Sequence, residues 1–263
     1  MPGKKDSVAL SSRHTAATAR LGLGGMRIRL LLALCAASLL VGALAAKDDR
    51  EELEKAARTM SQLDSYSFTT SYELQGIPPI EGPYEVRGKW QRGIVYFISE
   101  SEGAKVEGYR MNERSVIRKQ GGDWIVPRKD REGGRGIGTP HEILENLHNQ
   151  VRSVSRSDGF EMVNSRRCVA YEAELTAQGT RDLIPVAGIP LDTSNGGRAR
   201  IWVDDDGFIQ KYFMLADVKV TILGRRFNLR ATNTTEISDI GKTRVKPPDE
   251  VMRLLKAATP SPR

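Results

Sequence analysis

The chain has 263 residues, 39% of them hydrophobic and 28% charged, with a formal net charge of +7. Residues 1–46 hold Lys4, Lys5, Arg13, Arg20, Arg27 and Arg29 against Asp6 alone, so most of the excess charge belongs to that stretch and nucleic acid is not implied as a partner. The cysteines are Cys35 and Cys168, which excludes a disulfide-dense scaffold; if Cys35 leaves with a leader, no intramolecular disulfide can form.

The leader comes first. Residues 30–46 read LLLALCAASLLVGALAA, an uncharged apolar run with Arg27 and Arg29 before it and Lys47, Asp48 and Asp49 after it. That order of charged, apolar and small residues is the signature of a secretory signal. Ala43-Leu44-Ala45 offers small residues at the two positions a signal peptidase must accept, placing cleavage after Ala45; Met26 is an alternative start. The competing reading is an uncleaved N-terminal membrane anchor, since about 17 apolar residues is the short end of what spans a bilayer. Leu34 precedes Cys35 where a lipoprotein signal needs a small residue, so no lipidated N-terminus is expected. The expected organisation is a leader over 1–45, a single domain over 46–258 and a mobile tail over 259–263. The protein is expected to be exported and to work in the periplasm or another extracytoplasmic compartment.

Leu53, Ala56, Ala57, Met60 and Leu63 recur at helical spacing, with acidic residues in the first turn where the helix dipole favours them. Period-two sequence follows: Tyr66, Phe68, Thr70, Tyr72 and Leu74 share one face of a strand, and Val86, Gly88 and Trp90 share a face of the next. Residues 94–98 are apolar on both faces, as in a central strand covered on both sides. Further strands are predicted at 106–111, 115–119 and 124–126, close enough together to form antiparallel hairpins. Residues 127–139 read as a charged, Gly-rich loop. Thr139, Pro140 and Glu142 then fit N-cap, N1 and N3 of a capping box, with Ile143, Leu144, Leu147 and Val151 as the buried stripe of one helix. Strands are predicted at 160–163 and 167–175. The apolar but Pro- and Gly-interrupted segment 176–197 follows, which either packs over the core or rims a ligand cavity. Successive hairpins occupy 198–203, 208–215, 218–223 and 227–234, and Pro247-Pro248 opens a short terminal helix.

Few residues point to chemistry. His141, Glu145 and His148 share a helical stripe, but HEILE lacks the second His of a zinc motif, and a solvated helix flank is the expected role. Asp204-Asp205-Asp206-Gly207 lacks the later ligands of a calcium loop and reads as a hairpin turn. Cys168, in a strand-like run, reads as a small buried apolar side chain. No phosphate loop, nucleophile elbow or dinucleotide fingerprint occurs. Neither catalysis nor a metal or other cofactor is expected.

Four stretches carry a family resemblance: the helix running into SYSFTTSYEL, the basic strand YEVRGKW, the strand RCVAYEAEL, and RARIWVDDDGFIQKYFM with the later TEISDIGKTRVKPPDEV. Together they resemble the superfamily of the outer-membrane lipoprotein carrier and related lipid-carrier lipoproteins. The resemblance implies an α+β fold: a strongly curved antiparallel sheet, an incomplete barrel, with helices packed on or plugging its concave face. It further implies a hollow that binds or carries a lipid, a lipoprotein acyl chain or another apolar ligand, by a monomer in transient contact with a membrane. Burial of one acyl CH₂ contributes about 0.8 kcal/mol, so a dry hollow needs no charged anchor. The residues expected to line it are Trp90, Tyr96, Trp124, Trp202, Tyr212 and Phe213, with Ile184, Val186, Ile189 and Leu191 at the rim. The alternative is a non-enzymatic envelope sensor or interaction protein with a protein partner and no ligand.

Overall fold

The period-two stretches pair into a curved antiparallel sheet in the computed structural model, which describes residues 48–76, 82–101, 103–127, 138–145, 147–182, 191–193, 196–222 and 224–257. The leader, the tail from 259 and the Gly-rich loop over 128–137 lie outside the described residues. After helix α1 (48–61), a meander runs through β1 (Ser65–Gln75), β2 (Gly82–Gln91), β3 (Ile94–Ser101), β4 (Ala104–Met111) and β5 (Arg114–Lys119). Helices α2 (Pro140–Glu145) and α3 (Leu147–Gln150) interrupt it. The second half holds β6 (Val151–Arg156), β7 (Glu161–Val163), β8 (Arg166–Leu175), α4 (Ala177–Asp182), β9 (Leu191–Asp192), β10 (Gly197–Asp204), β11 (Ile209–Ile222), β12 (Arg225–Ser238) and α5 (Asp249–Lys256).

The strand order is β5-β4-β3-β2-β1-β12-β11-β10-β8-β6, with β7 on β8 and β9 on β11. Among the described residues nothing pairs β5 with β6, so the barrel stays incomplete. The two halves are joined by β1 against β12, where Phe68 faces Ile237 and Thr70 faces Thr235. Short turns set the hairpins: Asn164 and Ser165, at φ 51° and 62°, link β7 to β8 in the left-handed conformation that two-residue hairpin loops require.

The concave face carries the main core. Tyr66, Phe68 and Leu74 of β1, Val86 and Trp90 of β2, Tyr212, Met214 and Val218 of β11 and Leu229 and Ile237 of β12 are all buried there. Leu53, Ala56, Ala57 and Met60 of α1 and Leu144 of α2 close over them. Helix α1 is also tied by polar contacts: the Tyr171 hydroxyl donates to Glu52 at 2.6 Å, and Arg50 Nη2 donates to the Val151 carbonyl at 2.6 Å. On the convex face, α5 seats Val251 and Leu255 against Tyr109 and Val116, while Cys168, Ala170 and Trp202 form a separate cluster. Buried Cys168 fits its sequence reading; burial pushes its thiol up to about 11.

One row across four strands accounts for part of the curvature. Phe68 of β1 faces Gly88 of β2, which faces Phe97 of β3, which faces Gly108 of β4. A Cβ on Gly88 would lie 2.1 Å from Phe68 Cζ, and one on Gly108 would lie 2.3 Å from Phe97 Cζ. Each ring therefore occupies the space where its neighbour lacks a side chain, which lets the sheet bend.

Several expectations need correction. The capping-box helix does not run to Val151: α2 ends at Glu145, α3 covers four residues, and Val151 starts β6, a strand hidden in VRSVSR because its buried residues, Val151 and Val154, lie three apart and give no period-two signal. Residues 124–126 form no strand, only a bridge between Ile125 and Ile117. The pair of strands predicted at 208–215 and 218–223 is one continuous β11 of 14 residues. A short helix, α4, lies in the stretch read as irregular.

Candidate functional site

The concave face divides into an anchored end and an open end. At the anchored end, the capping box seats α2. The Thr139 N–H donates to Glu142 Oε2 at 2.8 Å, the reciprocal half of the box, and Arg110 of β4 donates through Nη2 to both Glu142 oxygens at 2.8 and 2.6 Å. His141 is half-buried against the sheet's aromatic side chains, less open than the solvated flank the sequence suggested. Its ring is 4.8 Å from that of Trp90 and 6.0 Å from that of Tyr66, and the Tyr66 hydroxyl is 2.5 Å from Nδ1. A neutral ring accepts the tyrosine proton at Nδ1 and keeps Nε2–H toward Thr139 Oγ1 at 3.4 Å. Among the described residues no group of three or more His, Cys, Asp or Glu is placed to hold a metal ion; the side chain of His148 lies outside them.

This anchor is acid-sensitive by its electrostatics. Burial holds the His141 pKa below its ordinary value; Glu142 and Glu145 oppose the shift and Arg110 adds to it. Burial raises the Glu142 pKa, but hydrogen bonds from Arg110 and Thr139 more than offset it and leave the carboxyl low. The unfolded chain thus takes up the histidine proton first, and the stability held in the neutral ring declines as pH falls below about 6.5. The Glu142 contribution is present above the ordinary carboxylate range and is lost on further descent through its lowered pKa. Urea unfolding should show a midpoint that drops between about pH 7.5 and 5.5, with a shallower drop in His141→Asn; equal slopes would dissociate His141 from the effect.

The middle of the concave face is polar. Thr70 and Thr235 hydroxyls pair at 2.9 Å across β1 and β12, and Thr235 Oγ1 donates to Asn233 Oδ1 at 3.1 Å. Tyr72 and Tyr84 stack beside them, 4.7 Å apart. Burial raises the Tyr72 pKa, and a hydrogen bond with Asn233 partly counters it. Tyr212 faces Thr235 in the register of β11 on β12, is 0% exposed, and its hydroxyl lies against the Thr235 hydroxyl, whose hydrogen bond partly counters the effect of burial. Burial raises its pKa well above the ordinary value, so it remains a neutral donor.

At the open end β1 stops, and a cavity of about 520 Å³ opens against Gln75, Gly76, Asp217, Val218, Lys219, Asn228, Leu229 and Arg230. Val218 and Leu229 are cross-strand partners buried in the concave core, whereas Asp217, Lys219, Asn228 and Arg230 alternate onto the other face of the same strands. Arg230 clamps Asp217 through Nε at 2.7 Å and Nη2 at 3.2 Å along the rim. Gly76, at φ 104°, comes so close to β12 that a Cβ would lie 2.0 Å from the Asn228 carbonyl oxygen, which no other residue could tolerate.

Of the side chains expected to line a hollow, Trp90 and Tyr212 lie in the concave core. Tyr96 and Trp124 pack on the convex side under α5, with Tyr109 between their rings at 5.0 and 5.5 Å. Trp202 and Phe213 pack convexly beside Cys168. Leu191 lies in β9, whose backbone pairs with Val220 of β11; its side chain and all of Ile184, Val186 and Ile189 lie outside the described residues. Strand parity explains the division: β10 turns Ile201 inward and Trp202 outward, and β3 turns Val95 inward and Tyr96 outward. Sequence reasoning passed over Tyr84, Asn233 and Thr235, whose signal is the alternation of Ala231, Asn233, Thr235 and Ile237 along β12.

Comparison with known proteins returns structures and no sequence relatives. LprF from Mycobacterium bovis is 13% identical over 78% of this chain and 98% of its own, with a TM-score of 0.48. A LolA superfamily protein from Nitrosomonas europaea is 11% identical over 77% of this chain and 96% of its own, with a TM-score of 0.28. MucB, in a complex with MucA(peri), is 14% identical over 81% of this chain and 60% of its own, also at 0.28. No family model and no curated protein matches the chain. The curved-sheet fold itself rests on strand order and register, not on these overlaps.

Proposed function

We propose that this is an exported envelope protein that binds or carries a lipid, a lipoprotein acyl chain or another apolar ligand on the concave face of its sheet. The observation that supports the reading is the curved sheet with its apolar concave face, together with the 520 Å³ cavity at the end of β1 bordered by Val218 and Leu229. Its volume falls within the range of ligand pockets, and its polar rim of Asp217, Lys219 and Arg230 suits a ligand with a wet head and a greasy tail. Among the described residues no helix is long and apolar enough to cross a membrane. In this reading residues 1–45 act as the export signal.

Native mass spectrometry of the purified protein incubated with palmitate tests the reading. A one-to-one adduct, weakened by Val218→Asp at the cavity border, is expected. Absence of any retained or loadable lipid would remove the proposal. The second reading, an interaction protein that uses the fold without a ligand, draws on the anchored end, where Tyr66, Phe68 and Trp90 fill the concave face with the protein's own side chains. A stable protein partner bound by lipid-free protein would favour it.

A further inference from the structure

The hairpin of β11 and β12 overhangs both of its neighbours at the open end. On one side β1 pairs no further than Gln75 with Arg230, and on the other β10 begins at Gly197 opposite Ala216. The hairpin runs on to the pair Ile222 with Arg225, flanked among the described strands only by the short β9 at Lys219 and Val220. The stretch from Arg230 to Arg225 carries it about 17 Å past the end of β1. Its turn stands free: a Cβ on Gly224, at φ 77°, would meet nothing within 4 Å.

Strand alternation gives this overhang two unlike faces. Val220 with Phe227 and Ile222 with Arg225 continue the concave side, where Val220 is buried and Ile222 and Phe227 are only partly covered against the core. Lys219 and Arg226 stand exposed on the other side. Residues 217–230 hold Lys219, Arg225, Arg226 and Arg230 against Asp217 alone. Toward the root these charges are answered, since Arg230 clamps Asp217 and Lys219 faces Asp192 of β9. At the tip Arg225 and Arg226 are exposed, and among the described residues no acid pairs with either. Cations alone would suit any polyanion; the apolar pair among them favours a surface with negative charge outside and hydrocarbon beneath.

We propose that the tip of the β11–β12 hairpin docks the protein on an anionic lipid bilayer, with Arg225 and Arg226 on lipid phosphates and Ile222 and Phe227 at the acyl boundary. Docking there presents the open end of the sheet, with its cavity, to the membrane. The proposal goes beyond the ligand-binding reading and stands without it, since a protein that loads no lipid can still dock.

Co-sedimentation of the exported form of the protein with vesicles tests it, using phosphatidylcholine alone and an equal mixture with phosphatidylglycerol. The wild type should bind the mixed vesicles, bind phosphatidylcholine at least about tenfold more weakly, and be released by raised salt. Arg225→Glu combined with Arg226→Glu should lose about tenfold or more in affinity for mixed vesicles. Its unfolding midpoint should not move, because both side chains are exposed. The charge-matched pair Lys242→Glu and Lys246→Glu, exposed beyond the far end of β12, should bind as the wild type does. Equal losses in the two double variants would reduce the effect to net charge and overturn the tip as docking site, as would no loss in the tip variant. Tip-dependent binding to poly-glutamate without vesicle binding would overturn the membrane assignment in favour of an acidic protein. Both double variants should still form the palmitate adduct if the wild type does, so that lost vesicle binding with the adduct intact places the defect in docking and not in the cavity.

Discussion

Asp204→Ala should lower the unfolding free energy by about 3 kcal/mol, the largest effect expected of any single polar side chain on the convex face. Asp204 closes β10, and its side chain is only 2% exposed. Its Oδ1 accepts from the Asp206 N–H at 3.1 Å and the Phe208 N–H at 2.8 Å, which shapes the turn into β11. Its Oδ2 accepts from Gln210 Nε2 at 2.7 Å and from Arg166 Nη1 at 2.9 Å, tying that turn to β8. Alanine would strand the buried Gln210 amide and the two backbone donors together, while half-exposed Arg166 can turn to Asp206 or water. Asp204→Asn should cost less, because the turn contacts survive. Urea unfolding of both variants measures the difference; a loss below about 1 kcal/mol for alanine would show the turn to be held by other contacts.

Gly88→Val should be at least as damaging, with a cost above about 3 kcal/mol or failure to fold. The Phe68 ring, 2% exposed, occupies the space directly over Gly88, so even one added carbon meets it at 2.1 Å. The ring cannot swing aside without disturbing Tyr66, whose ring centroid is 6.2 Å away, or the α1 side chains in the same core. The coupling has a signature: Gly88→Ala combined with Phe68→Leu should cost less than the sum of the two single changes by about 1 kcal/mol or more. Strict additivity would mean that the ring and the glycine do not constrain each other.

These two sites illustrate different degrees of legibility. The Asp204 turn was readable because Asp-Asp-Asp-Gly between two alternating runs is a local signal, and hairpin register follows from turn geometry. Gly88 was readable as a position on a strand face, between Val86 and Trp90, but not as half of a ring-and-glycine pair. Its partner comes from a different strand, and register cannot be obtained from one strand alone. The same limit moved Tyr96, Trp124, Trp202 and Phe213 to the convex face: being aromatic and strand-borne says nothing about which side of a sheet is roofed by α1 and which by α5.

By itself the sequence determined the β-rich class, the order of most hairpins, the capping box at Thr139 and the apolar stripe of α1, because each depends on residues within one turn or two adjacent strands. Tertiary structure decided what no local pattern encodes. It joined β1 to β12 across most of the described chain, which brings Thr70, Thr235 and Tyr212 into one buried band. It pressed His141 against Tyr66 and Trp90, and it left a cavity where β1 ends short of β12. Each of these is a contact between side chains far apart in sequence, and its energy exists only once the sheet has curved around them.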